Sequence, residues 1–236
     1  MFPGMLNRLQ QVAPEAQVVA VYGSTEAEPM AHVAWSQIGD DELLAMRSGK
    51  GLLAGRPVAE VRLRVIPDRF GKPIGPYTPE AFSSQSLPAG DIGEIVVTGD
   101  HVLKGYLHSE GEGETKFDVD TERWHRTWDA GFIDDRGRLW LVGRSSARIK
   151  DDKGMLYPFT VECAAQFIEG VRRNAMVSHQ GRRILLVETN GSLERGRIST
   201  ELAWAKLDEV RAVKQIPVDT RHNAKVDYTR VHDLLR

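Results

Sequence analysis

The sequence predicts a mixed α+β protein built as two units, a β-rich one over residues 1–143 and a small α+β one over residues 144–236. Three observations carry that reading. Residues 58–143 show period-two alternation and hairpin turns. After Gly143, helical patterns return between short apolar strands. The charge splits at the same place. Residues 1–143 hold 14 Lys and Arg against 21 Asp and Glu, a charge of −7, and residues 144–236 hold 17 against 12, or +5. Such a split suits two units with different electrostatic tasks, such as a basic lid over an anionic substrate, or a chance distribution of solvated charge.

The elements follow in order. Residues 6–12 pattern as a short helix ended by Pro14. Residues 17–22 form a compact apolar strand, broken by a turn at Gly23-Ser24-Thr25-Glu26 that also offers a helix-starting hydroxyl. Residues 40–46 suit another helix, with Gly49 and Gly51 after it. From Val58 the apolar residues alternate: Val61, Leu63 and Val65 face one way, Arg62 and Arg64 the other, as in a half-buried strand. Residues 67–90 are rich in Gly, Pro and Ser and predict a long loop. Residues 92–98 form the next strand, and the acidic, glycine-bearing stretch 108–122 an exposed insertion. Residues 124–133 and 138–142 form two strands about an Asp134-Asp135-Arg136-Gly137 turn. Beyond the boundary at 144–147, residues 158–168 are helical, with Pro158 in the first turn. Residues 174–178 and 183–189 are strands joined at Gln180-Gly181, and residues 193–207 and 228–235 are helices.

Composition narrows the function classes. The chain has 236 residues, 41% hydrophobic and 27% charged, as in ordinary globular proteins. Its longest apolar runs are far too short to span a bilayer, and the first residues lack the pattern of a secretion signal. A net charge of −2 argues against a general nucleic-acid binder. The lone cysteine, Cys163, leaves no intrachain disulfide and reads as a small apolar residue. A reducing cytoplasm is the expected location. No Cys/His cluster has zinc spacing.

Four groups of residues could carry chemistry. The turn Tyr22-Gly23-Ser24-Thr25-Glu26 offers backbone N–H groups and hydroxyls to phosphate oxygens and a carboxylate to Mg²⁺, or is simply a helix cap. Asp129, in His125-Arg126-Thr127-Trp128-Asp129, could accept from two ribose hydroxyls or bond its own turn. Arg144, in Gly143-Arg144-Ser145-Ser146, could reach ribose or phosphate with its planar fork, or be a linker residue. Lys225, in Asn223-Ala224-Lys225-Val226-Asp227, could neutralise charge developing during phosphoryl transfer, or sit exposed on a solvated turn.

Their order carries more weight than any one of them. Tyr22-Gly23-Ser24-Thr25-Glu26 resembles the Tyr-Gly-x-Thr-Glu motif of the adenylate-forming superfamily, which contains acyl-CoA synthetases, peptide-synthetase adenylation domains and luciferases. Gly93-Glu94-Ile95-Val96-Val97 with Gly105-Tyr106-Leu107 resembles its Gly-Glu-(Leu/Ile) … Gly-Tyr-(Leu/Tyr) segment. Arg126-Thr127-Trp128-Asp129 resembles Arg-Thr-Gly-Asp except at one position. Residues 137–144 resemble Gly-x-(Ile/Leu)-x-(Tyr/Phe)-x-Gly-Arg, and residues 223–227 resemble Asn-Gly-Lys-(Val/Ile)-Asp. Residues 218–225 look most like long-chain acyl-CoA synthetase relatives and the β-lactone synthetases of olefin biosynthesis.

The resemblance implies a fold and a set of roles. The β-rich part would be the barrel-like end of a large AMP-binding domain, and residues 144–236 a mobile lid hinged near 144–147, with Ser146 at the hinge position. Tyr22, Gly23, Ser24 and Thr25 would bind the nucleotide, Tyr22 at the adenine and Thr25 at the phosphate. Glu26 would hold Mg²⁺, Asp129 the ribose hydroxyls, and Arg144 the ribose or phosphate. Thr25, Glu26 and Lys225 would serve catalysis. ATP or AMP, Mg²⁺, a carboxylic acid with an acyl chain, and CoA or another acceptor are the implied ligands.

Three departures shape the expectation. Only about twenty residues precede the Tyr-Gly-x-Thr-Glu match, so the family's Ser/Thr/Gly-rich phosphate loop has no counterpart. Trp128 stands where the family has a glycine that permits close approach or positive φ. The stretch from Ser146 to Lys225 is short for a lid. The expected function is therefore a truncated or partial ATP-dependent acyl-adenylating ligase, not competent alone, either a fragment of a longer gene product or a chain partnered by a separately encoded N-terminal half. The alternatives are a non-catalytic nucleotide-binding or interaction module and a structural domain with coincidental motifs. Exposed apolar surface and association in solution are expected to accompany truncation.

Overall fold

The computed structural model describes residues 2–189, 191, 194–218 and 226–235. Helix α1 (Pro3–Val12) leads to the strand hairpin β1 (Val19–Ser24) and β2 (Ala27–Ala34), then α2 (Asp40–Arg47), β3 (Leu52–Pro57) and β4 (Val61–Ile66). After α3 (Pro79–Ser83) come β5 (Gly93–Gly99), α4 (Glu112–Thr115), β6 (Lys116–Val119), β7 (Glu122–Ile133) and β8 (Leu139–Arg144). A single 3₁₀ turn, Ser145–Ala147, precedes the short hairpin β9 (Ile149–Asp151) and β10 (Gly154–Leu156). Helix α5 (Pro158–Ala165), β11 (Val171–His179), β12 (Arg182–Thr189), α6 (Arg195–Glu201), β13 (Glu209–Val213) and α7 (Tyr228–Val231) follow.

Eight strands form one antiparallel sheet in the order β1-β2-β3-β8-β7-β5-β4, with β6 added on β7. The alternation read in the sequence sets its faces. Val61, Val65, Ile95 and Val97 pack one way, with Met30, Ala31 and Leu139. Ile66, Val96 and Trp124 pack the other way, with Phe82 and Phe117. Each fully buried large side chain contributes about 2–3 kcal/mol by leaving water. A second sheet, β11-β12-β13, pairs β11 antiparallel and β13 parallel to β12. Its strands β11 and β12 alternate between two apolar layers, one under α5 and α6 and one under α7.

Helix α5 joins the two parts. Its Phe159 and Cys163 reach the cluster formed by Leu6, Met46, Leu52 and Trp140, and the Cys163 thiol donates to the Gly51 carbonyl at 3.6 Å. Phe159 also stacks on Phe2 at 5.7 Å. Gly143 makes this approach possible, because a Cβ there would lie 2.9 Å from the Cβ of Phe159.

Several expectations need correction. The turn after β1 starts no helix. Thr25 and Glu26 are the corner of a hairpin whose second strand, β2, the patterning missed. Proline and charge interrupt the alternation of β2, and pairing with β1 decides its state. Strands β3 and β13 were missed as well: Gly55, Arg56 and Pro57 break up β3, and β13 is only five residues long. The stretch 108–122 is no exposed insertion: it contains β6, and Lys116, Phe117 and Val119 are buried. The loop 67–90 holds the short helix α3, and helix α6 is shorter than the stretch 193–207 predicts. Exposed apolar side chains do occur, with Val12 85% and Leu107 83% exposed.

Candidate nucleotide site

The site begins with an irregularity in β7. On the β5 side, Glu94 pairs with Ala130 and Val96 with Arg126, so one intervening residue of β5 faces three of β7. Ile95 holds that bulge by accepting from the Thr127 hydroxyl at 2.9 Å, and the same hydroxyl accepts from the Asp129 N–H at 3.1 Å. Trp128 sits between them at φ +58°, the left-handed conformation that glycine adopts without strain. Its ring meets Phe70 edge to face at 5.6 Å, and its indole N–H is buried without a partner. A bulge of this kind re-aims the side chain that follows it, and here that side chain is Asp129.

Asp129 stands opposite Arg144 across the β7–β8 ladder. The Arg144 guanidinium lies 3.1 Å from its Oδ1, and the Tyr22 hydroxyl donates to its Oδ2 at 2.8 Å. Burial first, and then the charge of Asp129, push the Tyr22 phenol well above its ordinary pKa. Tyr22 therefore stays a donor at all working pH values. Residues 107 positions apart in sequence thus share one carboxylate. A vicinal diol can bond such a carboxylate through both oxygens while the flanking tyrosine and arginine fix its orientation.

Under the bulge lies a buried ion pair. Arg126 donates to both oxygens of Glu94, at 2.8 and 2.7 Å. Its remaining N–H groups reach the carbonyls of Lys72 at 2.7 Å and Arg69 at 3.2 Å. One guanidinium therefore fixes β5, β7 and the long loop to each other.

Glu26 belongs to a neighbouring cluster. It lies at the β1–β2 corner, where its carbonyl accepts from the Leu103 N–H at 2.8 Å and its Oε1 from the Tyr106 hydroxyl at 3.4 Å. Burial alone would raise its pKa, but its own backbone N–H, neighbouring hydroxyls and His125 hold it below the usual carboxylate range. Lys116 lies 5.1 Å over the Tyr106 ring, donates to the Leu103 carbonyl and lies 3.2 Å from Nδ1 of His125. Burial lowers Lys116 to about 8. Burial and the Lys116 charge lower His125 to about 4, so a neutral imidazole faces the amine. Among the described residues no three carboxylate, His or Cys groups converge as a ready metal cage. Glu26 is a carboxylate that would suit Mg²⁺, an ion usually held by one or two protein carboxylates.

The structure thus brings Tyr22, Asp129 and Arg144 together and puts Glu26 on the same hairpin as Tyr22. Gly23 is the one residue of β1 that faces three of β2, residues 28–30, and a Cβ there would lie 2.8 Å from Glu28. Ser24 is half-buried and Thr25 exposed at the corner. Lys225 falls outside the described residues. Sequence reasoning missed Tyr106, Lys116 and the Glu94–Arg126 pair as site-building residues. Tyr106 and Glu94 did lie in quoted motifs. Lys116 carried no signal, because only the fold buries it.

Comparison with known proteins bears on the family and the fold. The family profile of AMP-binding enzymes matches residues 1–107. An olefin beta-lactone synthetase of Stenotrophomonas maltophilia (strain K279a) is 30% identical over 246 residues, covering 95% of this chain and 43% of its own length. A 2-succinylbenzoate–CoA ligase of Enterococcus faecalis (strain ATCC 700802 / V583) is 29% identical, covering 75% of this chain and 33% of its own length. The amide bond synthetase McbA from Marinactinospora thermotolerans superposes with a TM-score of 0.75 at 20% identity, over 99% of this chain and 45% of that one. The chain belongs to the adenylate-forming, AMP-binding superfamily, and its mixed fold is that of the C-terminal part of such enzymes. It spans less than half the length of these relatives.

Proposed function

We propose that this chain supplies the ribose-binding wall and the lid of an ATP-dependent acyl-adenylating ligase. The observation that supports it most is Asp129, held between Tyr22 and Arg144 on a motif-bearing bulge. A carboxylate oxygen of the acid attacks the α-phosphorus of ATP. The bond to the bridging oxygen breaks, pyrophosphate leaves, and an acyl-AMP remains. A thiol such as that of CoA, or another acceptor, then attacks the acyl carbonyl, loses its proton and displaces AMP. Asp129 accepts from the ribose hydroxyls, Arg144 steadies that carboxylate, and Lys225 offsets charge on the reacting oxygens. Glu26 would hold a Mg²⁺, which when bound would supply charge neutralisation at the phosphates. Residues 144–147 are the hinge between a unit at 1–143 and a lid at 144–236, and its rotation switches the two half-reactions. The phosphate loop, which has no counterpart in these 236 residues, is supplied by polypeptide outside them, on the same chain or on another.

The test is pyrophosphate release with a panel of fatty acids, from the chain alone and with any polypeptide encoded immediately upstream. Release that needs the upstream partner and disappears in Lys225→Ala and Asp129→Asn supports the reading. Unchanged release in Lys225→Ala removes the role given to that lysine. A second reading, a nucleotide-binding or interaction module without turnover, is favoured by the indole of Trp128 beside Asp129. AMP binding by calorimetry with no pyrophosphate release under any pairing would favour it.

A further inference from the structure

Two buried carboxylates of the second part have no place in the nucleotide wall. Glu162 on α5 is only 6% exposed. Its Oε1 accepts from the Met176 N–H at 2.9 Å and from the hydroxyl of Tyr228. Glu188 on β12 is 2% exposed. Its Oε2 accepts from the Ile216 N–H at 2.9 Å, and Arg172 lies 3.0 Å from its Oε1. Burying a carboxylate is costly, and an apolar residue would serve the packing as well. What both carboxylates add is a directional bond to the same stretch of chain. Ile216 precedes that stretch and Tyr228 follows it. Between them the two limbs are zipped together: the Asp227 N–H donates to the Pro217 carbonyl at 3.0 Å, and Val218 bridges Val226 antiparallel. Beneath, Ile216, Val226 and Val231 pack on the sheet face formed by Ala175, Val177, Ile184 and Leu186.

We infer that Glu162 and Glu188 are positioning residues that clamp the chain at Ile216 and at Tyr228, fixing the two described limbs that flank Lys225 in sequence. The use of the clamp rests on the acyl-adenylating reading; the clamp itself does not. Neither foot is held by a regular ladder: Ile216 lies beyond β13, and Tyr228 opens a helix of a single turn. Each needs an acceptor from the body of the second part, Ile216 from strand β12 and Tyr228 from helix α5, and each receives a carboxylate. Burial raises the Tyr228 phenol, so it remains a donor.

Two measurements on the full chain test the clamp. Tyr228→Phe keeps the ring and removes the donor, and Glu188→Leu removes the acceptor under Ile216. In hydrogen exchange, each should lose at least tenfold protection at residues 226–231, with β11 and β12 unchanged. Glu188→Gln and Glu162→Gln keep an acceptor oxygen and should restore most of it. With the upstream partner present, Tyr228→Phe should lower kcat for pyrophosphate release at least tenfold. KM for ATP and transfer from ready-made acyl-AMP should not change. Unchanged protection in folded Tyr228→Phe and Glu188→Leu overturns the clamp. Loosened protection with an unchanged kcat overturns its use in the reaction. If no pairing of the parent chain releases pyrophosphate, the ligase reading fails, and the exchange result alone decides the clamp.

Discussion

Glu94 and Arg126 set the most demanding energetic condition in the large sheet. Their side chains are 0% and 2% exposed, and they meet through two short bonds. Removing one partner strands a charge in the interior, which costs about 3–5 kcal/mol. Glu94→Leu and Arg126→Met should therefore each lose about that much. The double variant removes both charges and leaves a pair of apolar chains. Its main remaining loss is the donors to the Lys72 and Arg69 carbonyls, about 1 kcal/mol each. It should thus cost about 2–3 kcal/mol, no more than either single change, with a coupling energy of several kcal/mol. Urea unfolding followed by tryptophan fluorescence reads this directly, since Trp124, Trp128 and Trp140 all lie in the large sheet. With a slope of about 2–3 kcal/mol per molar, each single change should move the midpoint by about 1.5 M. Single losses below about 1 kcal/mol, or a double loss equal to their sum, would refute the reasoning.

Four further outcomes follow from three residues. Trp128→Gly relieves a left-handed residue, about 1 kcal/mol, and should leave the chain more stable than Trp128→Ala, which loses the ring but keeps the strain; thermal unfolding ranks the pair, and the reverse order would remove the strain argument. The same glycine variant should bind AMP more tightly in calorimetry if the indole crowds the ribose, and unchanged binding in a folded protein would dismiss the obstruction. Burial raises Glu162 to about 7 from an ordinary 4.5, so the folded chain holds that proton more tightly than the unfolded one. Its stabilising contribution is complete below pH 4.5 and fades as pH rises through 7, by up to about 3 kcal/mol; the difference in stability between parent and Glu162→Gln across that window isolates it, and a pH-independent difference would contradict it. Finally, Asp68 holds Arg148 and, at 3.3 Å, the Tyr157 hydroxyl, both beyond the 3₁₀ turn. Asp68→Asn should speed tryptic cleavage after Arg148 several-fold, and equal rates would show that the contact restrains nothing.

The parts of the fold that were legible are those where local chemistry and tertiary demand agree. The alternation around Val61, Leu63 and Val65, the turn at residues 134–137, and Pro158 opening α5 each gave the observed element. Strand β2 was hidden because Glu28 and Pro29 interrupt its apolar pattern, and β6 because Lys116 and Asp118 look solvated until the fold surrounds them. The same division runs through the site. Tyr22, Asp129 and Arg144 were visible as motif residues, but only strand pairing shows that they share a carboxylate. The role of Trp128 was half visible: its position called for positive φ, and the structure has it. Lys116 and His125 owe their altered basicity to burial, which no spacing reveals.

Tyr22 rides on β1, which among the described residues pairs with β2 alone and forms one end of the large sheet. Its hydroxyl nevertheless sets one oxygen of Asp129. A strand pairing along the outer margin of β1 would be coupled to that phenol through the backbone that carries it. If Asp129 holds a sugar diol as proposed, its grip would depend on what lies along that margin as well as on the residues that touch the sugar.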